Sequence, residues 1–97
     1  MPRFVGLINW TDQGIRNFRD TVERAKAASA AAEKLHGKLS AIYWTVGAYD
    51  LVVVSDFPDD ESASAFSLAL SALGNVRTTT MRAYDADEMA RVIAKTR

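Results

Sequence analysis

The sequence lacks several features that whole classes of protein require. It has no cysteine, which excludes disulfide frameworks, thiolate nucleophiles and cysteine-bound metals. It has one histidine, His36, which stands alone near a predicted helix end, so no spacing for a zinc or haem site exists. Glycine-rich phosphate loops, Walker motifs and nucleophile elbows are also missing. We therefore predict no metal site and no cofactor.

The chain also lacks net charge and long apolar runs. Twelve basic residues balance twelve acidic ones, whereas nucleic acids and anionic membranes attract an excess of Lys and Arg. No segment approaches the roughly 20 apolar residues that span a bilayer, and no secretory signal pattern is found. We therefore expect a soluble, cytoplasmic protein with neither nucleic-acid nor membrane partners. Zero net charge also removes one barrier to self-association.

The length of 97 residues and the 48% hydrophobic content indicate one globular domain, residues 1–97. Alternating and β-branched segments predict four strands, at 3–10, 38–46, 49–57 and 76–84. Gly47 and Ala48 separate the second and third strands and predict a two-residue type II′ hairpin turn. Apolar residues at both alternating positions of 51–54 indicate a central strand that is buried on both sides.

Three helices are predicted between and after these strands. The first runs from about Phe18 on an alanine-rich stripe, carries an i,i+4 pair of Asp20 and Arg24, and ends where Gly37 adopts a left-handed conformation. Thr11 or Asp12 is expected to cap a short helical turn before it. The second helix follows the N-cap Asp59 and stops at 74–75.

The last helix starts at a capping box that begins with Asp85 and includes Glu88. Its apolar residues Met89, Val92 and Ile93 are expected on the inner side. The order of elements predicts an α+β, ferredoxin-like β-α-β-β-α-β fold with a C-terminal helix. Its four-stranded antiparallel sheet would carry the two main helices on one face.

Both faces of this sheet are predicted to be apolar. Alternation places Leu51 and Val53 opposite Val52 and Val54, and Ile42 and Trp44 opposite a set made of Leu39, Ala41 and Tyr43. Two helices cover only one face, and an exposed apolar patch marks an interaction surface. We therefore expect the protein to be its own partner, in a homodimer or higher homo-oligomer that pairs sheet against sheet.

Three blocks of the sequence, residues 7–14, 43–50 and 74–84, resemble those of the GYD-domain family. The family is named for a Gly-x-Tyr-Asp signature, which is Gly47, Tyr49 and Asp50 here. The resemblance covers nearly the whole chain and implies the dimeric α+β barrel superfamily, in which two ferredoxin-like sheets close around a pocket. That superfamily includes small-molecule binding domains, cofactor-free monooxygenases, isomerases and haem enzymes. The resemblance to the GYD-domain family implies no proven catalytic role for any residue.

The candidate site residues are those that such a pocket would use. Threonine hydroxyls offer neutral hydrogen-bonding groups and aromatic rings offer flat apolar walls, while an arginine fixes an anion. The ligand-binding candidates are Trp10, Tyr43, Trp44, Tyr49, Thr78, Thr80 and Arg82. The structural alternatives are aromatic packing in the core or interface and a polar edge strand that resists edge pairing.

Catalytic candidates are weaker. Asp50 or Asp12 would act as a base in an apolar pocket, where desolvation raises a carboxyl pKa, and Arg82 would hold the developing anion. The alternative for Asp50 is a hydrogen-bond acceptor that holds the turn together. Three functions stay open: binding of a small apolar or aromatic molecule between the sheets of a dimer, a cofactor-free isomerase or monooxygenase in the same pocket, and a purely structural assembly role.

Overall fold

The protein is built from one sheet and a layer of helices, and a computed structural model describes all residues from Met1 to Arg97. The predicted α+β ferredoxin-like fold is confirmed. The sheet order is β2-β3-β1-β4, and every neighbouring pair is antiparallel. The strands are β1 Arg3–Trp10, β2 Lys38–Trp44, β3 Leu51–Asp56 and β4 Val76–Ala83. The helices are α1 Asp12–Arg16, α2 Thr21–Lys34, α3 Asp60–Ala72 and α4 Ala86–Ala94, with a 3-10 turn at Phe18–Asp20.

The core lies between the sheet and the helices α2 and α3. At one end, Phe57 packs against Phe4 and Phe66, with ring centroids 6.4 and 5.3 Å apart, and Ala32 of α2 closes this cluster. At the other end, a smaller cluster is formed by Ile8, Leu51, Val53 and Val76. The helix-facing positions of the two central strands therefore contribute to both clusters, with Phe4 in the first and Ile8, Leu51 and Val53 in the second.

The opposite side of the sheet is covered by no element of the chain. The register places Val5 between Val54 and Met81, and Leu7 between Val52 and Thr79, so two rows with apolar residues on both central strands cross the sheet. We call this surface the open face. Its side chains are Val5, Leu7, Ala41, Tyr43, Val52, Val54, Thr79 and Met81.

The predicted face of Leu39 is wrong because β2 contains an irregularity. The pairing with β3 shifts between Leu39 and Ala41, which breaks strict alternation at that point. As a result, Leu39 packs with Ile42 against the helix-side core, while Ala41 stays on the open face.

The predicted two-residue hairpin at Gly47 and Ala48 is also wrong. β2 ends at Trp44 and β3 begins at Leu51, so the connection spans residues 45–50. Within it, the backbone N–H of Thr45 donates to the carbonyl of Asp50 at 2.8 Å, and the Thr45 hydroxyl donates to the carbonyl of Tyr49 at 2.5 Å. In this longer loop, Asp50 forms backbone hydrogen bonds on both sides: its carbonyl accepts from Thr45, and its N–H donates to the carbonyl of Ile8 in β1.

Helix α2 ends one residue earlier than the glycine suggests. His36, with φ of 60°, takes the left-handed position, and the amides of His36 and Gly37 donate to the carbonyls of Glu33 and Ala32, both at 2.9 Å. This is a Schellman motif with His36 at the left-handed position. Gly37 is required for space, since a Cβ there would lie 2.3 Å from the Phe57 ring.

The predicted caps of the last two helices are confirmed. The Asp59 carboxylate accepts from the amide of Ser62 at 2.7 Å, and Asp85 and Glu88 form the reciprocal capping box. The expected inner side of α4 is wrong, however. Met89, Val92 and Ile93 are 41%, 39% and 53% exposed, because α4 barely contacts the rest of the fold.

Candidate functional site

The carboxyl end of β1 is tied to the start of β4 by a cluster of polar contacts. The amide of Thr11 donates to the carbonyl of Asn75 at 3.0 Å, and its hydroxyl donates to the carbonyl of Gly74 at 2.5 Å. The same hydroxyl accepts from the amide of Gly14 at 3.1 Å and caps α1. A Cβ on Gly14 would lie 2.0 Å from the Asn75 carbonyl oxygen, so only glycine fits this junction.

Asp50 ties the loop before β3 to the same end of β1. Its carboxylate accepts from the backbone N–H of Trp10 at 2.8 Å, and its own N–H donates to the carbonyl of Ile8 at 2.8 Å. The carboxylate therefore supports the backbone as a hydrogen-bond acceptor, which is the structural alternative for this residue. Its geometry offers no direct approach to the cavity described next, which Asp50 does not line.

A cavity of about 480 Å³ lies between the sheet and the helices α2 and α3. Of its 24 lining residues, 17 are hydrophobic, so the space suits an apolar occupant. It exists because α2 presents short side chains, such as Ala25 and Ala28, where a helix in a closely packed core would present larger ones. The sheet contributes Ile8, Trp10, Val53 and Val76 to its walls.

Three of the predicted ligand-binding residues line this cavity: Trp10, Thr78 and Thr80. The two threonine hydroxyls lie 3.3 Å apart and are hydrogen-bonded to each other. These residues therefore face the helices and not the open face, because Trp10 and both threonines share the orientation of the core residues Ile8 and Val76 along their strands. A pocket between two sheets would not contain them.

The other predicted aromatic residues lie apart from the cavity. Tyr43 stands on the open face and is 63% exposed. Trp44 lies at the end of the edge strand, where its indole N–H donates to the hydroxyl of Thr21 at 2.9 Å. Tyr49 is half-buried in the loop 45–50. The structure thus divides the predicted pocket into separate regions.

Arg82 lies at the other end of β4, beside α4. Its guanidinium stacks on Tyr84 at 4.5 Å, lies 3.6 Å from the Glu88 carboxylate and donates to the carbonyl of Arg3 at 3.1 Å. Asp12 is exposed on the first turn of α1. The three catalytic candidates Asp12, Asp50 and Arg82 are therefore not brought together around one space.

Arg24 is a site residue that sequence reasoning assigned to a different role. It does not pair with Asp20; its guanidinium instead donates to the carbonyl of Asn17 at 2.7 Å and to that of Gly14 at 3.3 Å. The side chain lines the cavity at the end where β1 meets α1. The signal in the sequence was the i,i+4 spacing of Arg24 and Ala28, which makes them neighbours on the helix surface; both line the cavity.

The shifted pKa values lie outside the cavity. Hydrogen bonds from the Arg3 guanidinium, at 2.9 and 3.1 Å, lower the pKa of Asp56 against the opposing effect of partial burial, and the Ser40 hydroxyl also donates to it. The amide of Ser62 lowers the pKa of Asp59, as expected of an N-cap carboxylate. Both shifts belong to structural contacts.

No group of three or more His, Asp or Glu side chains is arranged to hold a metal ion. None of the helices has the length and apolarity needed to cross a bilayer.

A sequence model of the GYD domain matches residues 4–93. The chain belongs to the GYD-domain family. It is also 33% identical over 94 residues to the glutamine synthetase and cystathionine beta-lyase binding protein of Thermus thermophilus, with 95% of this chain and 99% of that protein aligned. In fold it is similar to the crystal structure of TTHA0845 from the same species, with a TM-score of 0.57 and 25% identity over 89% of this chain and 96% of that one.

The three sequence blocks of this GYD domain meet at one end of the sheet. The first block contributes Trp10, Thr11 and Gly14, the second contributes Asp50, and the third contributes the 74–75 turn. Their contacts join β1, β3 and β4 at the end of the cavity where Arg24 lies. In this GYD domain, the signature aspartate therefore builds the frame of the cavity without lining it.

Proposed function

We propose that this GYD domain is a homo-oligomeric protein-binding module, which pairs with a second copy through the open face and binds an enzyme through α4. The open face carries the proposal. It presents the apolar row Val5–Val54–Met81 across three strands and the pair Leu7–Val52 beside it, which Thr79 continues on β4, and no part of the chain covers them.

The open face suits a second copy of the same chain. Burial of its apolar side chains stabilises a complex by about 25 cal/mol per Å², and a twofold axis would bring the same rows together from both subunits. The ion pair of Arg3 and Asp56 supplies both signs of charge beside the apolar rows. Two such faces therefore meet without a net excess of like charge.

The proposed enzyme partner follows from the relative's name. A chain aligned over 95% of its length with a protein described as binding glutamine synthetase and cystathionine beta-lyase is proposed to bind one or both of these enzymes in its own cell. We assign this contact to α4, whose apolar residues Met89, Val92 and Ile93 are exposed on a helix that barely contacts its own fold.

The pairing is tested by light scattering on the wild-type chain and on two variants at micromolar concentration. Val54→Asp places a charge in the centre of the open face and is expected to yield a monomer of 10.6 kDa. Leu68→Asp makes the same type of change at a position that is 72% exposed on α3 and is expected to leave the oligomer intact. A monomeric wild-type protein would contradict the pairing.

The enzyme contact is tested by biolayer interferometry with the two enzymes from the same organism. Ile93→Asp is expected to abolish binding while the mass of the oligomer stays unchanged, and Leu68→Asp again serves as the control. Absence of binding by the wild-type chain to both enzymes at tens of micromolar would overturn this part of the proposal.

A second candidate function is binding of a small apolar or aromatic molecule, which the cavity of about 480 Å³ favours. The proposed location is the helix side of the sheet, because Trp10, Thr78 and Thr80 lie there. We assign no reaction to the protein, since Asp12, Asp50 and Arg82 lie apart. A cytoplasmic location stays part of the proposal and agrees with the cysteine-free sequence.

A further inference from the structure

We infer that the cavity between the sheet and the helices binds an amphiphilic carboxylate, with its apolar tail in the cavity and its carboxylate at Arg24. The inference rests on the second candidate function, and it specifies the chemical class of the ligand. It is independent of the open face and of the enzyme contact.

The body of the cavity selects an uncharged, apolar tail. Its volume of about 480 Å³ lies within the roughly 300–1,000 Å³ that small-molecule sites occupy. The walls are formed by Ile8, Val53 and Leu70, together with alanines of α2. On the sheet wall, the half-buried Thr78 and the exposed Thr80 offer only neutral hydroxyls, which already bond to each other. A second charged group on the ligand would therefore find no partner there.

One end of the cavity is polar. Thr21, Arg24 and Asn75 line it together with Trp10, at the junction where β1 ends, β4 begins and α2 starts. Gly14 lies between Trp10 and Arg24 at this end. It is so close to Trp10 that a Cβ on Gly14 would lie 3.2 Å from the Trp10 Cβ, and its carbonyl accepts a hydrogen bond from Arg24. The ligand therefore has one polar end and one apolar end.

The charge at that end is positive and has no carboxylate partner in the chain. Arg24 donates only to two backbone carbonyls and forms no salt bridge, while the neighbouring Glu23 pairs with Lys26 at 3.2 Å. A guanidinium has five N–H donors, so three of them stay available. The two carbonyl bonds hold its plane in place, and such a fixed fork binds a carboxylate through two parallel hydrogen bonds.

Calorimetry with three probes of equal chain length tests this assignment. Decanoate is expected to bind about tenfold more tightly than 1-decanol, the ratio of a charge-assisted to a neutral hydrogen bond, and decylammonium is expected to bind more weakly than either. Equal affinities for decanoate and decanol, or a preference for decylammonium, would overturn the assignment of the carboxylate to Arg24. If no probe binds, the small-molecule function itself fails.

Variants locate the two ends of the ligand. Arg24→Gln is expected to lower the affinity for decanoate to that for decanol, while Lys26→Gln, which removes the same charge from an exposed position two residues away, leaves it unchanged. Ala25→Phe fills the cavity and is expected to abolish binding of all three probes. Unchanged binding to Ala25→Phe would place the ligand elsewhere and overturn the proposal.

A measurement on the wild-type protein covers the case in which Arg24→Gln fails to fold. Decanoate labelled with carbon-13 at its carboxyl carbon is titrated with acid in the complex and free in solution. A guanidinium contact lowers the carboxyl pKa, whereas burial without a cation raises it. A bound pKa at or above the free value would therefore contradict the contact with Arg24.

Discussion

Single side chains connect segments that lie far apart in the sequence. The Asp50 carboxylate accepts from the Trp10 amide, so the loop 45–50 and the end of β1 hold each other in place. Each hydrogen bond to a charged group contributes about 1.5–3 kcal/mol. Loss of this contact is therefore expected to change stability even though Asp50 touches no part of the cavity.

Substitution of Asp50 tests its structural role. Asp50→Ala leaves the Trp10 amide without its acceptor and is expected to lower the free energy of unfolding by about 1–3 kcal/mol. Asp50→Asn keeps an oxygen that can accept this bond, so a smaller loss is expected. Urea denaturation measures both. Equal stability of all three proteins would show that the contact contributes nothing.

The end of α2 offers a second test at two adjacent residues. Gly37→Ala would place a Cβ 2.3 Å from the Phe57 ring and 2.9 Å from the Asp56 carbonyl. We expect this overpacking to lower the free energy of unfolding by about 1–3 kcal/mol. His36→Gly removes the strain of a left-handed non-glycine residue and is expected to be neutral or to stabilise by up to about 1 kcal/mol. Thermal denaturation compares them, and the opposite ranking would contradict this account.

Among the elements, α2 and α4 depart most from an ordinary core helix. α2 is rich in alanine, which favours helix formation but leaves the cavity unfilled. α4 is held at its start by the reciprocal bonds of Asp85 and Glu88, at 2.8 and 3.1 Å, and by the contact of Arg82 with Glu88. We therefore expect the cap to contribute more than packing to the stability of α4.

Removal of the cap is therefore expected to act on α4 alone. Asp85→Ala should destabilise this helix by about 1 kcal/mol and increase hydrogen exchange at Met89 and its neighbours. The melting temperature of the sheet should hardly change in the isolated subunit, for which Val54→Asp supplies the background. Asp87→Ala, a change in the same first turn, is the control. A large fall in the melting temperature would show that α4 packs on the sheet.

At the scale of the whole molecule, the shape explains why a second copy is proposed. The subunit measures 50 × 30 × 18 Å, and its shortest dimension holds only one sheet and one layer of helices. Such a two-layer slab leaves one sheet face in water unless another chain covers it. In the proposed oligomer, a second copy would cover this face and complete the core.

Association makes stability depend on protein concentration. If the open face is buried in a homo-oligomer, mass action raises the melting temperature as the concentration increases. We expect this rise for the wild-type chain and a constant melting temperature for Val54→Asp between micromolar and hundreds of micromolar. Scanning calorimetry measures both, and a concentration-independent wild type would argue against the oligomer.

The sequence by itself determined the features that depend on neighbouring residues. The caps at Asp59 and Asp85 were predictable because each carboxylate bonds an amide three residues away, and the four strands were predictable from their alternating or β-branched residues. The order of these elements then indicated the ferredoxin-like fold. The apolar positions 52 and 54 also indicated that a second sheet face would be left uncovered.

Tertiary structure decided everything that depends on distant residues. Position 37 needs glycine because Phe57 packs there, the Asp50 carboxylate after the loop's turn bonds to the Trp10 amide of β1, and Leu39 faces the core because the register with β3 shifts. The cavity lies on the helix side because the small side chains of α2 do not fill the space above the sheet. Volumes and hydrogen bonds of this kind arise between elements, so no local pattern records them.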